Sequence, residues 1–137
     1  IRDRTIIDRS NTPVVLIGSA GDIERGKTLD RAQVISLVGE TTIAQSAAIL
    51  RGAKRVYTGD TGMMHLAAAV GTPISSFWGC TRPALGMGPW NPAPGSSVVV
   101  PDERLGRRPC SKLGNRCRHS EICMSTTERL YSEASIK

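Results

Sequence analysis

The sequence predicts an α/β chain, a Rossmann-like three-layer domain around a mainly parallel sheet, and three observations carry that expectation. Pro13–Gly18 is a short continuous apolar run rich in β-branched residues, and Val34–Gly39, Lys54–Thr58 and Pro73–Gly79 read as further strands. Runs of this kind suit strands buried on both faces. Helix signals stand between them, so strand and helix alternate as in right-handed βαβ units. Small-residue turns follow the first three runs, at Gly18 to Asp22, Gly39 to Thr42 and Gly59 to Gly62. Ligands of parallel α/β sheets sit outside the carboxyl ends of the strands, where these turns belong.

Taken in order, residues 1–12 are polar and mixed in charge and read as the end of an incoming helix or a linker. The core follows over 13–100. After the first strand and its turn, Asp22 to Arg31 reads as a short polar helix. Thr42 with Gln45 three residues on has capping-box spacing and opens a helix ending near Gly52, with Ile43, Ala47 and Leu50 along its inner face. The third strand leads into Gly59-Asp60-Thr61-Gly62, an apolar helix and then the start of the fourth strand. Past Gly79 the alternation ceases. A loop rich in proline and glycine carries Trp90 to a last short strand at Ser96–Val100. Residues 101–124 form a basic, cysteine-containing loop. Ser125 with Glu128 is a second capping box, opening a C-terminal helix over 125–137.

Composition narrows the function classes. A chain of 137 residues is one domain on ordinary priors, with room for a single core. No apolar run approaches the roughly 18 residues of a membrane-spanning helix. The first residues, Ile1-Arg2-Asp3-Arg4, offer neither an initiator methionine nor a signal-peptide pattern and read as a cut inside a longer chain. Four cysteines do not make a secreted disulfide scaffold, so a reducing cytoplasm is expected. Much of the net charge of +6 gathers in Arg104, Arg107, Arg108, Lys112, Arg116 and Arg118. That stretch is either a solvated basic loop or a surface for anions.

The stretch Asp60 to His65 admits two readings. Asp60, Thr61 and Gly62 could simply cap a core helix, because Asp and Thr accept bonds from orphan N–H groups. They could instead form an anion-binding corner, where those N–H groups and the helix dipole attract phosphate. His65 lies four residues after Thr61 and shares its face; a cap does not need it, whereas a phosphate could use it. Neither the G-x-G-x-x-G fingerprint nor the P-loop sequence is present.

Asp60-Thr61-Gly62-x-x-His65-x-Ala67-Ala68-Ala69-x-Gly71-x-Pro73, continuing to Phe77-Trp78-Gly79, resembles the donor-binding half of the bacterial heptosyltransferases, glycosyltransferase family 9. Val38-Gly39-Glu40-Thr41-Thr42-Ile43, Ala48-Ile49-Leu50-x-Gly52-Ala53 and Pro109-Cys110-Ser111-Lys112-Leu113-Gly114 are similar to that family too. The resemblance covers roughly residues 13 to 128.

It implies the C-terminal half of a GT-B enzyme that inverts the anomeric centre without a bound metal. The donor would be a nucleotide-sugar such as ADP-heptose, with no further cofactor. The acceptor, a lipopolysaccharide core sugar, and the catalytic base would belong to an N-terminal domain not contained in this sequence. On the same footing Thr61 and Gly62 would offer N–H groups and a hydroxyl to the diphosphate, with His65 as a further donor and Asp60 beside the sugar or organising the turn. Met63 is counted with these donor-binding residues, although Met63 and Met64 also read as core or cleft-wall residues. Gly39, Thr41 and Thr42 would border the adenine, with Gly18 nearby, and Asp22 or Glu24 would take the ribose hydroxyls. A cytoplasmic enzyme would result, with residues 104–118 favouring an anionic membrane face.

Other side chains are weighed against plainer roles. Cys110, Cys117, His119 and Cys123 could make a Cys₃His zinc site, but their spacing departs from a close knuckle, and reduced structural thiols are expected. Cys80 is expected to be a small core residue; Trp90 could stack on a sugar, but a tryptophan flanked by prolines more often anchors a loop. One rival function is a non-catalytic nucleotide-binding module. Another is a zinc-stabilised nucleic-acid-binding domain. An aromatic content of 4% leaves little for base stacking, so no nucleic acid is expected.

Overall fold

A computed structural model describes residues 2–100 and Cys123, with side chains from Arg4 onward. The basic loop of 101–124, apart from Cys123, and the expected helix of 125–137 lie outside the described residues. Over residues 2–100 four α-helices, α1 (Arg2–Asp8), α2 (Ile23–Lys27), α3 (Ile43–Gly52) and α4 (Gly62–Ala69), alternate with five strands, β1 (Val14–Leu16), β2 (Val34–Ser36), β3 (Val56–Thr58), β4 (Ile74–Phe77) and β5 (Ser97–Val99). Among the described residues every strand pairing is parallel. The fold is therefore α/β, as the alternation of short strands and helices requires.

The chain divides into two compact units, Ile1–Ile49 and Leu50–Lys137. In the first, β1 pairs with β2, with Val14 opposite Val34 and Leu16 opposite Ser36. Their expected burial on both faces is not found. Val15 and Ile35 are register partners, share one face, and are 40% and 53% exposed. The unbroken apolar run misled here because it marks a strand without saying which face is covered. In this unit α1 buries Ile7, whose carbonyl accepts a bond from Gln33 Nε2 at 3.1 Å, and Arg4 Nη2 donates to Thr28 O.

In the second unit β4 lies between β3 and β5. All four of its residues are buried. Two are serines, whose hydroxyls are satisfied: Ser75 pairs with Ser97 Oγ at 2.9 Å, and Ser76 accepts the indole N–H of Trp78 at 3.0 Å. Burial of polar groups is tolerable only with such partners. Trp78 is fully buried, and its main-chain N–H donates to Val99 O, carrying the pairing one residue past β4. Arg55 donates to Ser75 Oγ and to Gly95 O, both at 3.0 Å, and so ties β3 to the approach of β5.

α3 spans the division between the units. Its capping box forms as expected: Gln45 Oε1 accepts from Thr42 N at 2.9 Å, and Gln45 N donates to Thr42 Oγ1. Its buried face differs from the expected one. Ser46 and Leu50 are buried, Ala47 is half-buried, and Ile43 is 73% exposed. The Ser46 hydroxyl pairs with Thr41 Oγ1 at 2.9 Å, which lets a polar residue take the inner position.

Candidate functional site

The residues singled out in the sequence fall into two groups, one in each unit. In the first unit the loops after β1 and β2 meet: Gly39 N donates to Gly18 O at 3.0 Å. Gly39 has φ +79°, and a Cβ there would stand 3.0 Å from Ile23 Cδ1 and 3.3 Å from Ala20 Cα. Both the left-handed backbone and the close approach demand glycine. Asp22 reaches back to Ser19, its Oδ2 accepting from Ser19 N at 2.9 Å and from Ser19 Oγ at 2.6 Å. Those two bonds, the hydroxyl's first, stabilise the carboxylate and lower its pKa from the ordinary 3.8. Gly18, Asp22 and Gly39 thus come together. Glu24 turns instead to Lys27, with 2.6 Å between carboxylate and ammonium, on the exposed side of α2. Thr41 and Thr42 use their hydroxyls to build the start of α3.

The second group is built on the turn from β3 into α4. The helix buries Met64, Ala67 and Ala68 on one face. That i, i+3, i+4 stripe orients the rest. Thr61, Gly62 and His65 are therefore exposed together, and Met63 and Asp60 are half-buried beside them. Thr61 is the N-cap residue, yet its side chain makes no capping bond. Its hydroxyl pairs with Thr58 Oγ1 at 3.0 Å, and Thr58 Oγ1 donates to Gly59 O at 3.1 Å. Thr58 has one hydroxyl proton, so the proton between the two threonines is Thr61's. Asp60 does not cap the helix either; its Oδ2 accepts from Thr81 Oγ1 at 3.0 Å. The N–H groups of Gly62 and Met63, at the first two helical positions, have no partner within the helix. The plain capping reading of this turn is not realised. What results is an exposed corner with two main-chain donors, a positive dipole end and a histidine.

Thr58, Thr81 and Ser19 are not among the residues the sequence marks as candidates. Their hydroxyls hold the expected residues in place, and for Ser19 the signal was readable as a side chain three residues before Asp22. Among the other expectations, Met64 is a core residue and Cys80 is half-buried. Trp90 does not anchor its loop: it is 88% exposed, and the indole that packs the unit is Trp78. Flanking prolines stiffen a loop without drawing its tip inward. Cys110, Cys117 and His119 lie outside the described residues, whereas Cys123 is buried. Among the described residues no group of three or more metal-ligating side chains occurs, and no helix is long and apolar enough to cross a membrane.

Comparison with known proteins shows the family of the chain. The chain is 36% identical over 77 residues to lipopolysaccharide heptosyltransferase 2 of Escherichia coli, a match covering 51% of this chain and 22% of that protein. It is 32% identical over 77 residues to lipooligosaccharide heptosyltransferase 2 of Haemophilus influenzae, again across 22% of the relative. The chain thus aligns with about a fifth of the length of these curated relatives. Among solved structures, a family 9 glycosyl transferase from Veillonella parvula superposes with a TM-score of 0.74 at 18% identity, over 98% of this chain and 40% of that one. The E. coli ADP-heptose lipopolysaccharide heptosyltransferase II superposes with a TM-score of 0.60 at 26% identity, over 97% and 40%. The profile of glycosyltransferase family 9 (heptosyltransferase) matches residues 5–116, and the chain belongs to that family.

Proposed function

We propose that this chain is the nucleotide-sugar-binding part of an inverting, metal-independent glycosyltransferase whose donor is ADP-heptose and whose acceptor is a lipopolysaccharide core sugar. The observation that carries the reading is the uncapped N-terminus of α4, with Thr61, Gly62 and His65 exposed together, in a chain of this family. The named relatives act in lipopolysaccharide heptose transfer, and one is titled for its ADP-heptose donor.

The chemistry follows from that corner. An acceptor hydroxyl attacks the anomeric carbon from the face opposite the leaving group, the bond from that carbon to the phosphate oxygen breaks, and the electron pair departs with ADP. Negative charge grows on the diphosphate as this happens. The N–H groups of Gly62 and Met63 are free of helical partners and His65 is exposed beside them, so they can stabilise that charge as it develops. The Thr61 hydroxyl, committed to Thr58, shapes the turn, and main-chain groups deal with the anion. The base that takes the acceptor proton belongs to an acceptor-binding domain, as the family resemblance implies. Gly18, Asp22, Glu24, Gly39, Thr41 and Thr42 stand for the nucleoside side on that same resemblance. A cytoplasmic setting with the basic stretch 104–118 toward anionic lipid or a phosphorylated acceptor fits the +6 charge.

His65→Ala in the protein expressed from its whole reading frame tests the reading. One such donor is worth about 3 kcal/mol in a transition state, a loss on the order of a hundredfold in turnover. Because His65 is exposed, thermal stability should hold. Unchanged turnover together with an unchanged ADP dissociation constant would remove His65 from the site.

A further inference from the structure

We propose that Thr81 is a positioning residue for the donor corner, acting through Asp60 to keep the first N–H groups of α4 open to an anion. The inference rests on the proposed function above and adds a residue to it. Asp is among the strongest helix-capping residues, and its side chain readily bonds the backbone N–H two residues on. From position 60 that N–H is Gly62's, the first of α4. Left alone, the Asp60 carboxylate would turn onto the helix end, occupying the donors a diphosphate needs and placing a like charge against it. The structure has it elsewhere: Oδ2 accepts from Thr81 Oγ1 at 3.0 Å in a part-buried setting, and α4 has no side-chain cap.

The fold explains how a residue twenty-one positions away reaches this point. β3 and β4 run parallel with Thr58 opposite Ser76. The chain leaving β4 therefore travels beside the chain leaving β3. Gly59 lies close to that exit, with a Cβ there 3.8 Å from Phe77 O. Trp78 N bound to Val99 O fixes the direction of the exit toward Thr81.

The test is a double-mutant cycle on ADP binding, measured by calorimetry on the protein expressed from its whole reading frame. Thr81→Val should weaken ADP binding about tenfold, the loss expected when a hydrogen bond to a charged group is removed. Its unfolding midpoint should move by less than about 2 °C. Thr81→Ser keeps the hydroxyl and should restore binding. In an Asp60→Ala background Thr81→Val should have no further effect, because the residue acts only through Asp60. An undiminished effect in that background, failure of serine to rescue, or unchanged binding in Thr81→Val each overturns the proposal. His65→Ala separates the two ideas: loss of ADP binding there but not in Thr81→Val defeats the Thr81 assignment alone, and no loss in either variant defeats both.

Discussion

Asp22 ends in the same chemical situation as Asp60: a carboxylate after a parallel strand, held by a hydroxyl. Its partner is local, Ser19, and two bonds converge on a single oxygen. Hydrogen bonds to the ionised form lower the pKa, and the direction fixes the sign of the pH effect. With the folded value below 3.8, the unfolded chain binds the proton first as acid is added. The contribution of this turn to stability is therefore complete above pH 3.8 and lost as the pH falls through the lower folded value. A carboxyl NMR titration should find the Asp22 midpoint below 3.8, moving up toward it in Ser19→Ala. A wild-type midpoint at or above 3.8 would mean the pair does not form in solution.

At the scale of elements, α4 carries the site and ends as deliberately as it begins. Gly71 has φ +78°. Its N–H donates to Ala68 O and that of Thr72 to Ala67 O, both at 3.1 Å, which is the Schellman closure. Thr72 Oγ1 then donates to Leu50 O at 2.7 Å, fastening the helix exit to the end of α3. Among the described residues nothing stands within 4 Å of a Cβ at Gly71, so Gly71→Ala should cost the left-handed backbone penalty, about 1–2 kcal/mol. Chemical denaturation would read it as a lower midpoint with an unchanged slope. The capping box of Thr42 and Gln45, every strand and the corner after β3 were legible in the sequence, because each is written in neighbouring residues. The Thr81–Asp60 bond was not, since it depends on strand register, which no local pattern states. Nor was the inner face of α3, where apolarity pointed to Ile43 and a bonded Ser46 took the inner place instead. The reading of Asp60 and Thr61 as caps failed for a related reason: propensity names residues able to cap, while Thr58 and Thr81 decided where their oxygens went.

Across the whole molecule, burial is uneven between the two units, and this has a measurable consequence. β4 has a strand on either side and no exposed residue. β1 and β2 form a two-stranded sheet in which Val15 and Ile35 face outward. Opening free energy follows buried apolar contact and sheltered backbone bonding, so native-state exchange should be graded along the chain. Amides of Ile74–Phe77 should exchange slowest among the described residues, and those of β1 and β2 markedly faster. Ligand binding adds stability by mass action, about 2.7 kcal/mol at a hundred times the dissociation constant. It slows exchange most where the ligand replaces solvent at an N–H. With saturating ADP, the proposed site therefore requires slower exchange at Gly62 and Met63, whose N–H groups have no helical partner. Amides of β5 should change far less. Slowing spread evenly over the second unit would point to general stabilisation without contact at α4. A slowing confined to the loops after β1 and β2 would move the phosphate away from Asp60 to His65 and leave that corner without its proposed ligand.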